Sequence, residues 1–226
     1  MGCRECCSSI RENILCYCLL TVAFVVLTAV AVIIAAFGVL RQVTITVDDA
    51  SLTRFELATA PATGLAYNLS LVLAVRNPNW AMTMTNKEAL EAAYFFDDQQ
   101  FERVQLSDKG HKYDASKTTL HRLVSGSDSS VVTLGNAGVA EFGKQKANGT
   151  FELKVKVTGK LKYTAFYTNC KIEATCSPIK LKVVAPSSEN PEPGVVVLFE
   201  KVKCTFSPIA CPDFSVSGAG ISPPNF

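Results

Sequence analysis

The sequence predicts an all-β domain, an antiparallel β-sandwich, carried behind a single transmembrane helix. One uninterrupted apolar stretch, Ile14 to Leu40, contains no charged residue and no His, Asn, Gln or Pro. Beyond Gln42 the apolar residues recur with period two, in seven or eight short runs separated by turn residues, and helical periodicity is scarce. Regularly spaced short strands of this kind are the pattern of a sandwich.

The apolar stretch comes first in importance. Sixteen of its residues are Leu, Ile, Val or Phe, so at roughly −0.3 to −0.6 kcal/mol each its insertion is favoured by several kcal/mol. At about 1.5 Å per residue a helix of this length reaches about 40 Å, against a hydrocarbon core of about 30 Å. A cleaved signal peptide has a shorter apolar core, about 7–15 residues, and the cleavage-like triplet Ala29-Val30-Ala31 lies in the middle of the run. The stretch therefore reads as a membrane anchor. Arg4 and Arg11 precede it and Arg41 follows, a small bias that places the N-terminus in the cytosol.

The chain divides on this reading into five parts. Residues 1–13 form a cytosolic cysteine-bearing tail, 14–40 the transmembrane helix, and 41–64 a juxtamembrane extended segment. Residues 65–215 form the β-sandwich ectodomain and 216–226 a flexible C-terminus. In the tail, Gly2 invites comparison with an N-myristoylation signal, but Cys6 stands where Ser or Thr is required. Cys3, Cys6 and Cys7 beside a membrane read either as S-acylation sites or as free thiols of a reducing cytosol. No histidine or acid completes a zinc-binding set with them.

Taking the strands in order, Val43, Ile45 and Val47 alternate with threonines, and Leu52, Phe55 and Leu57 mark a second short run. Leu65 to Arg76 puts Tyr67, Leu69, Leu71, Leu73 and Val75 on one face and Asn68 on the other. Asn77-Pro78-Asn79 ends that strand, because Pro78 cannot donate to a ladder and asparagine favours turns. Leu90–Phe96 and Phe101–Leu106 flank Asp97-Asp98-Gln99-Gln100 as a hairpin. Asp108 to Ser130, polar and without alternation, reads as a long loop, and Val139–Ala147 as a short helix. Phe151–Val157, Leu161–Tyr167, Ile172–Val184 and Val195–Phe206 are further strands, the last two joined by a turn-rich loop beginning at Pro186.

Two Asn-x-Ser/Thr acceptors, at Asn68 and Asn148, lie beyond the span, where they are useful only in the secretory lumen. Cys170, Cys176, Cys204 and Cys211 lie there too, an even number suited to an oxidising compartment. If the last two strands pair around their loop, Cys176 falls opposite Cys204 and Cys170 falls near Cys211. That register favours disulfides Cys176–Cys204 and Cys170–Cys211 among the three connectivities four cysteines allow.

Composition bounds the function. Of 22 basic residues three, and of 20 acidic residues two, precede Gln42, so the domain is nearly neutral and nothing suggests nucleic acid. Charge is nonetheless segregated: Glu88, Glu91, Asp97, Asp98, Glu102 and Asp108 form an acidic stretch, and Lys144, Lys146, Lys154, Lys156, Lys160 and Lys162 a later basic one. These read as solvated strand faces. The two histidines have no metal-ligand partner at short spacing, and nucleophile-elbow, phosphate-loop and dinucleotide motifs are missing. The expectation is a non-enzymatic protein with no catalytic residue, metal or cofactor. It would contact the membrane and an unidentified protein partner, with cell-wall or lipid contact as a further possibility.

The order of features, a cysteine-bearing tail, one span, a period-two run, Arg76-Asn77-Pro78-Asn79 closing a strand, and a cysteine-bearing β end, resembles a plant family. It is similar to the harpin-induced or non-race-specific disease resistance-like proteins, of late embryogenesis abundant group 2 with its water-stress-and-hypersensitive-response domain. The resemblance implies a fibronectin-type-III-like sandwich outside the plasma membrane and roles in pathogen and stress response, without enzymatic activity. The integrin-like motif and lipid-anchored C-terminus of some members are not found in this sequence. A structural membrane–cell-wall tether, a stress protectant or a lipid-binding sandwich are the alternative readings.

Overall fold

The computed structural model describes residues 3–37, 40–58, 64–128, 130, 134–164, 169–182 and 200–207. Its elements are α1 (Cys3–Phe37), β1 (Thr44–Leu57), β2 (Leu65–Arg76), β3 (Met84–Asn86), β4 (Leu90–Phe96), β5 (Gln99–Ser107), β6 (Lys112–Tyr113), β7 (Thr118–Ser127), α2 (Gly135–Asn148), β8 (Thr150–Tyr163), β9 (Asn169–Lys182), β10 (Val202–Lys203) and β11 (Thr205–Phe206). The strands form two antiparallel sheets packed as a sandwich. One has the order β10-β1-β2-β7; the other runs β11-β9-β8-β3-β6, with β4 also on β8 and β5 on β4. β8 is long enough to carry two partners on one edge, β4 against Lys154–Thr158 and β3 against Leu161–Tyr163.

Alternation explains the two layers. β2 buries Tyr67, Leu69, Leu71, Leu73 and Val75, and β8 buries Phe151, Leu153, Val155 and Val157 against them. β9 buries Cys170, Ile172, Ala174 and Cys176 and then Ile179 and Leu181. The phase changes because β9 holds one residue more than β8 between the pairs Val155–Cys176 and Leu153–Ile179, a bulge. The β4–β5 turn is two residues long, and Asp97 (φ 48°) and Asp98 (φ 59°) both take left-handed backbone, as a tight hairpin requires.

Several expectations are corrected. Segment 41–64, expected to precede the sandwich, supplies β1, which pairs along its whole length with β2. The two runs expected there are one strand, interrupted by irregularities after Val47 and Leu52 that broke the alternation. α1 is continuous from Cys3 to Phe37, so residues 3–13 belong to the helix. Leu40, expected as the last residue of the span, packs on the sandwich core; composition alone does not distinguish a leucine facing lipid from one facing a β core. Asp108–Ser130, expected as a loop, contains β6 and β7. β7 pairs with β2 over ten residues but is an edge strand of which only Leu123 is buried, while Leu120 and Val124 are exposed, so no alternation marks it. The expected strand Phe151–Val157 and the Leu161–Tyr163 part of the next fuse in β8, with Gly159 between them because a Cβ there would collide with the Leu90 side chain; residues 165–167 lie outside the described residues. Of Val195–Phe206, the described part splits: Val202–Lys203 pairs with β1 and Thr205–Phe206 with β9, in different sheets. Residues 216–226 lie outside the described residues.

Candidate functional site

The segment that ends β2 gathers the base of the sandwich, the end at which the chain arrives from α1. Asn77 and Asn79 are 0% and 2% exposed, and buried amides need partners. The Asn79 side chain pairs with the backbone of Arg41 in both directions: Arg41 N–H donates to Asn79 Oδ1 at 2.8 Å and Asn79 Nδ2 donates to the Arg41 carbonyl at 2.8 Å. The amide thus stands in for a strand neighbour at a residue that precedes β1. Asn77 Oδ1 accepts from both the backbone N–H and Nδ2 of Asn79, each at 3.1 Å. Asn77 Nδ2 donates to the carbonyls of Met82 (2.7 Å) and Tyr113 (3.2 Å). Ser116 N–H donates to the Asn79 carbonyl and Asn77 N–H to that of Lys117. Pro78 sits between the two amides, and the motif fastens the backbone at Arg41, at Met82 and along Tyr113–Lys117 to one point.

From Tyr113 the polar chain continues along the flank. Ser107 Oγ lies 2.9 Å from Tyr113 Oη and accepts from Asn86 Nδ2 at 2.7 Å. His121 Nε2 is 3.2 Å from the same Tyr113 hydroxyl. The protein's two histidines meet here, His111 and His121 with ring centroids 5.5 Å apart and Tyr113 against both. Burial, then the charge of His111, pulls the His121 imidazole below its ordinary value, opposed by a hydrogen bond at Leu106. Burial raises the Tyr113 phenol, with Ser107 and Asn86 opposing.

The other predicted positions are distributed over the surface and core. Asn68 is exposed on the outer face of β2, between Arg54 of β1 and Gly126 of β7. Asn148 is exposed at the end of α2, where Gly149 (φ 66°) closes the helix in left-handed conformation. Cys176 and Cys204 form a disulfide with Cα atoms 4.0 Å apart. Cys204 N–H also donates to the Ile45 carbonyl, so the bond holds β9 of one sheet to chain that is pinned on β1 of the other. Cys170 is disulfide-bonded as well; Cys211, the partner expected for it, lies outside the described residues. Cys3, Cys6 and Cys7 belong to α1.

The two charge runs come together. Lys160 of β8 pairs with Glu88 of the β3–β4 connection (2.5 Å) and Lys154 with Asp98 of the β4–β5 turn, while Lys156 pairs with Glu173 of β9 (2.5 Å), outside the acidic run. The reading of single motifs passes over Trp80 and the Asn86–Ser107–Tyr113–His121 chain, and takes Arg41 only as a charge flanking the span. One signal was available: the chain's single tryptophan directly follows Asn79, and it is 53% exposed.

α1 has, over Tyr17–Ala35, the length and composition to cross a membrane, and none of that window is buried against the protein. Such a helix serves as a membrane anchor or a signal, and the disulfide suggests an extracellular domain. The chain is 25% identical over 202 residues to NDR1/HIN1-like protein 10 of Arabidopsis thaliana, with 84% of each covered. The match supports the NDR1/HIN1-like family. No family model matches the chain. A crystal structure of a protein from Archaeoglobus fulgidus aligns with 65% of this chain and 100% of its own, at 11% identity and a TM-score of 0.29.

Proposed function

We propose that the chain is a non-enzymatic, single-pass plasma-membrane protein of plant defence and stress response, in which α1 anchors an extracellular sandwich that acts by binding another protein. The observation that carries this reading is the similarity, over most of both chains, to a relative whose name places it among disease-resistance-like proteins. The apolar helix, the Cys176–Cys204 disulfide and the exposed acceptors at Asn68 and Asn148 support the orientation, with the N-terminus in the cytosol. Membership of the late embryogenesis abundant group 2 belongs to the same proposal.

Two experiments on the full-length chain test it. Protease protection and endoglycosidase digestion of intact vesicles should find the sandwich lumenal and its glycans at Asn68 and Asn148. A sandwich that is digested from the cytosolic side, with bare asparagines, overturns the orientation. Plants lacking the protein should show weakened hypersensitive cell death, restored by the full-length chain, and cross-linking of that chain should trap a protein partner. Unaltered cell death with nothing trapped overturns the functional reading.

A further inference from the structure

We propose that the base of the sandwich is a membrane-docking surface, with Trp80 seated in the headgroup layer of the bilayer that holds α1 and with Arg41, Arg76 and Lys112 turned toward lipid phosphates. This rests on the anchor reading of α1.

Chain length brings the base to the membrane. The last helical residue described is Phe37, and Leu40 already packs on the sandwich core. Three residues of fully extended chain reach at most about 11 Å. The window Tyr17–Ala35 is about 28 Å long as a helix, the thickness of the hydrocarbon layer. Phe37 then lies in the headgroup region, which adds roughly 5–7 Å on each side. Arg41, which follows Leu40, is fixed to Asn79 by two hydrogen bonds of 2.8 Å, and Trp80 follows Asn79. The clamp at Asn77 and Asn79 thus ties the membrane exit and the tryptophan to the same rigid point.

The chemistry of the base matches that location. Trp80 is exposed although buried loops flank it, with Asn79 and Met82 both inside. An indole has an apolar body and one N–H donor, and tryptophan collects at bilayer interfaces for that reason. Arg41, Arg76 and Lys112 are exposed at the same end and make no ion pair among the described residues. The acid there, Asp114, is held by Lys117 at 2.9 Å. At the opposite end the charges are matched in pairs, Asp98 with Lys154 and Asp128 with Arg54 at 2.6 Å. A basic rim around an exposed indole suits a phosphate-bearing surface, attracting it over about a Debye length, about 8 Å at physiological salt.

Because Trp80 is the sole tryptophan, its fluorescence reports on this surface alone. The full-length chain is placed in phospholipid vesicles whose acyl chains are brominated near the headgroup, and flotation is measured in parallel. The proposal expects blue-shifted emission, quenching by the brominated lipid and shielding from aqueous acrylamide. Arg76→Glu with Lys112→Glu, two exposed positions whose exchange leaves the core intact, should weaken the lipid quenching and restore acrylamide access without loss of flotation. Water-like emission without lipid quenching, in a chain that still floats, overturns docking and leaves the anchor standing. A chain that does not float overturns the anchor itself, and docking with it. Shielding in native membranes but not in pure lipid overturns the lipid assignment in favour of a protein against Trp80.

Discussion

The two ends of the sandwich are closed by different physics. At the far end Phe55 is ringed by Phe96, Phe101, Phe142 and Phe151, with centroids 4.8 to 6.2 Å away, and α2 contributes Phe142 to the cluster. At the base Asn77 and Asn79 close the end with hydrogen bonds to the backbones of Arg41, Met82 and Tyr113. Apolar packing stabilises without fixing direction, whereas a two-way amide pair fixes one backbone in one register. The directional device stands where the chain enters from α1, and the non-directional one stands where nothing needs to be aimed.

The largest expected effect breaks the far end. Phe55→Ala removes a buried ring from the centre of the cluster and should cost about 3–5 kcal/mol, read as a lowered urea midpoint of the detergent-solubilised chain. A loss below about 1 kcal/mol would mean that the cluster is not core. At the base, Asn79→Ala should cost about 2–3 kcal/mol, because the Arg41 N–H and carbonyl lose their partner. It should also do what Phe55→Ala does not: open the Arg41 amide to hydrogen exchange while the protein remains folded. If Arg41 stays protected in Asn79→Ala, the clamp is not what holds the entering chain.

These ends differed in legibility for the same reason. Alternation announced the packed parts: Tyr67 to Val75 and Phe151 to Val157 were read with the correct inward face, and the Asp97-Asp98 turn lies between the strands expected. The polar parts carry no periodicity. β7, in which Leu123 is the single buried residue from Thr118 to Ser127, has the polar pattern of a loop and is a strand by its pairing with β2. Asn77 and Asn79 were legible as a strand breaker but not as a clamp, since their partners are backbone atoms up to 38 residues away. The opposition of Cys176 and Cys204 was legible because Thr175 and Thr205 are in register, although the strand assumed to run through Cys204 divides there between the sheets.

A smaller effect tests the polar flank that continues the base. His121 is held below its ordinary 6.5 by burial first and by His111 second. The unfolded chain therefore binds more protons than the folded one in the window from 6.5 down to the folded value. Stability should fall as pH drops through that window and be recovered above it. His121→Gln, which keeps a polar group near Tyr113 Oη, should flatten the dependence of the urea midpoint between about pH 7 and 5, whereas Phe55→Ala should shift the midpoint without changing the slope. An unchanged slope in His121→Gln would place the acid sensitivity elsewhere.

The smallest effect belongs to neither end. Lys160 meets Glu88 at 2.5 Å on the face of the larger sheet, with side chains 45% and 55% exposed. Water and salt screen such a pair, and ordering two long side chains offsets the attraction, so Lys160→Ala should change stability by less than about 1 kcal/mol. Three lysines of β8, Lys154, Lys156 and Lys160, each meet an acid on a neighbouring segment. If the pairs along β8 act as a network, removing Lys160 and Lys156 together should cost less than the two single changes summed, because each single change already loses the shared coupling. Strict additivity would assign the segregated charge to solvation of a strand face, leaving the two ends to determine how the sandwich holds together.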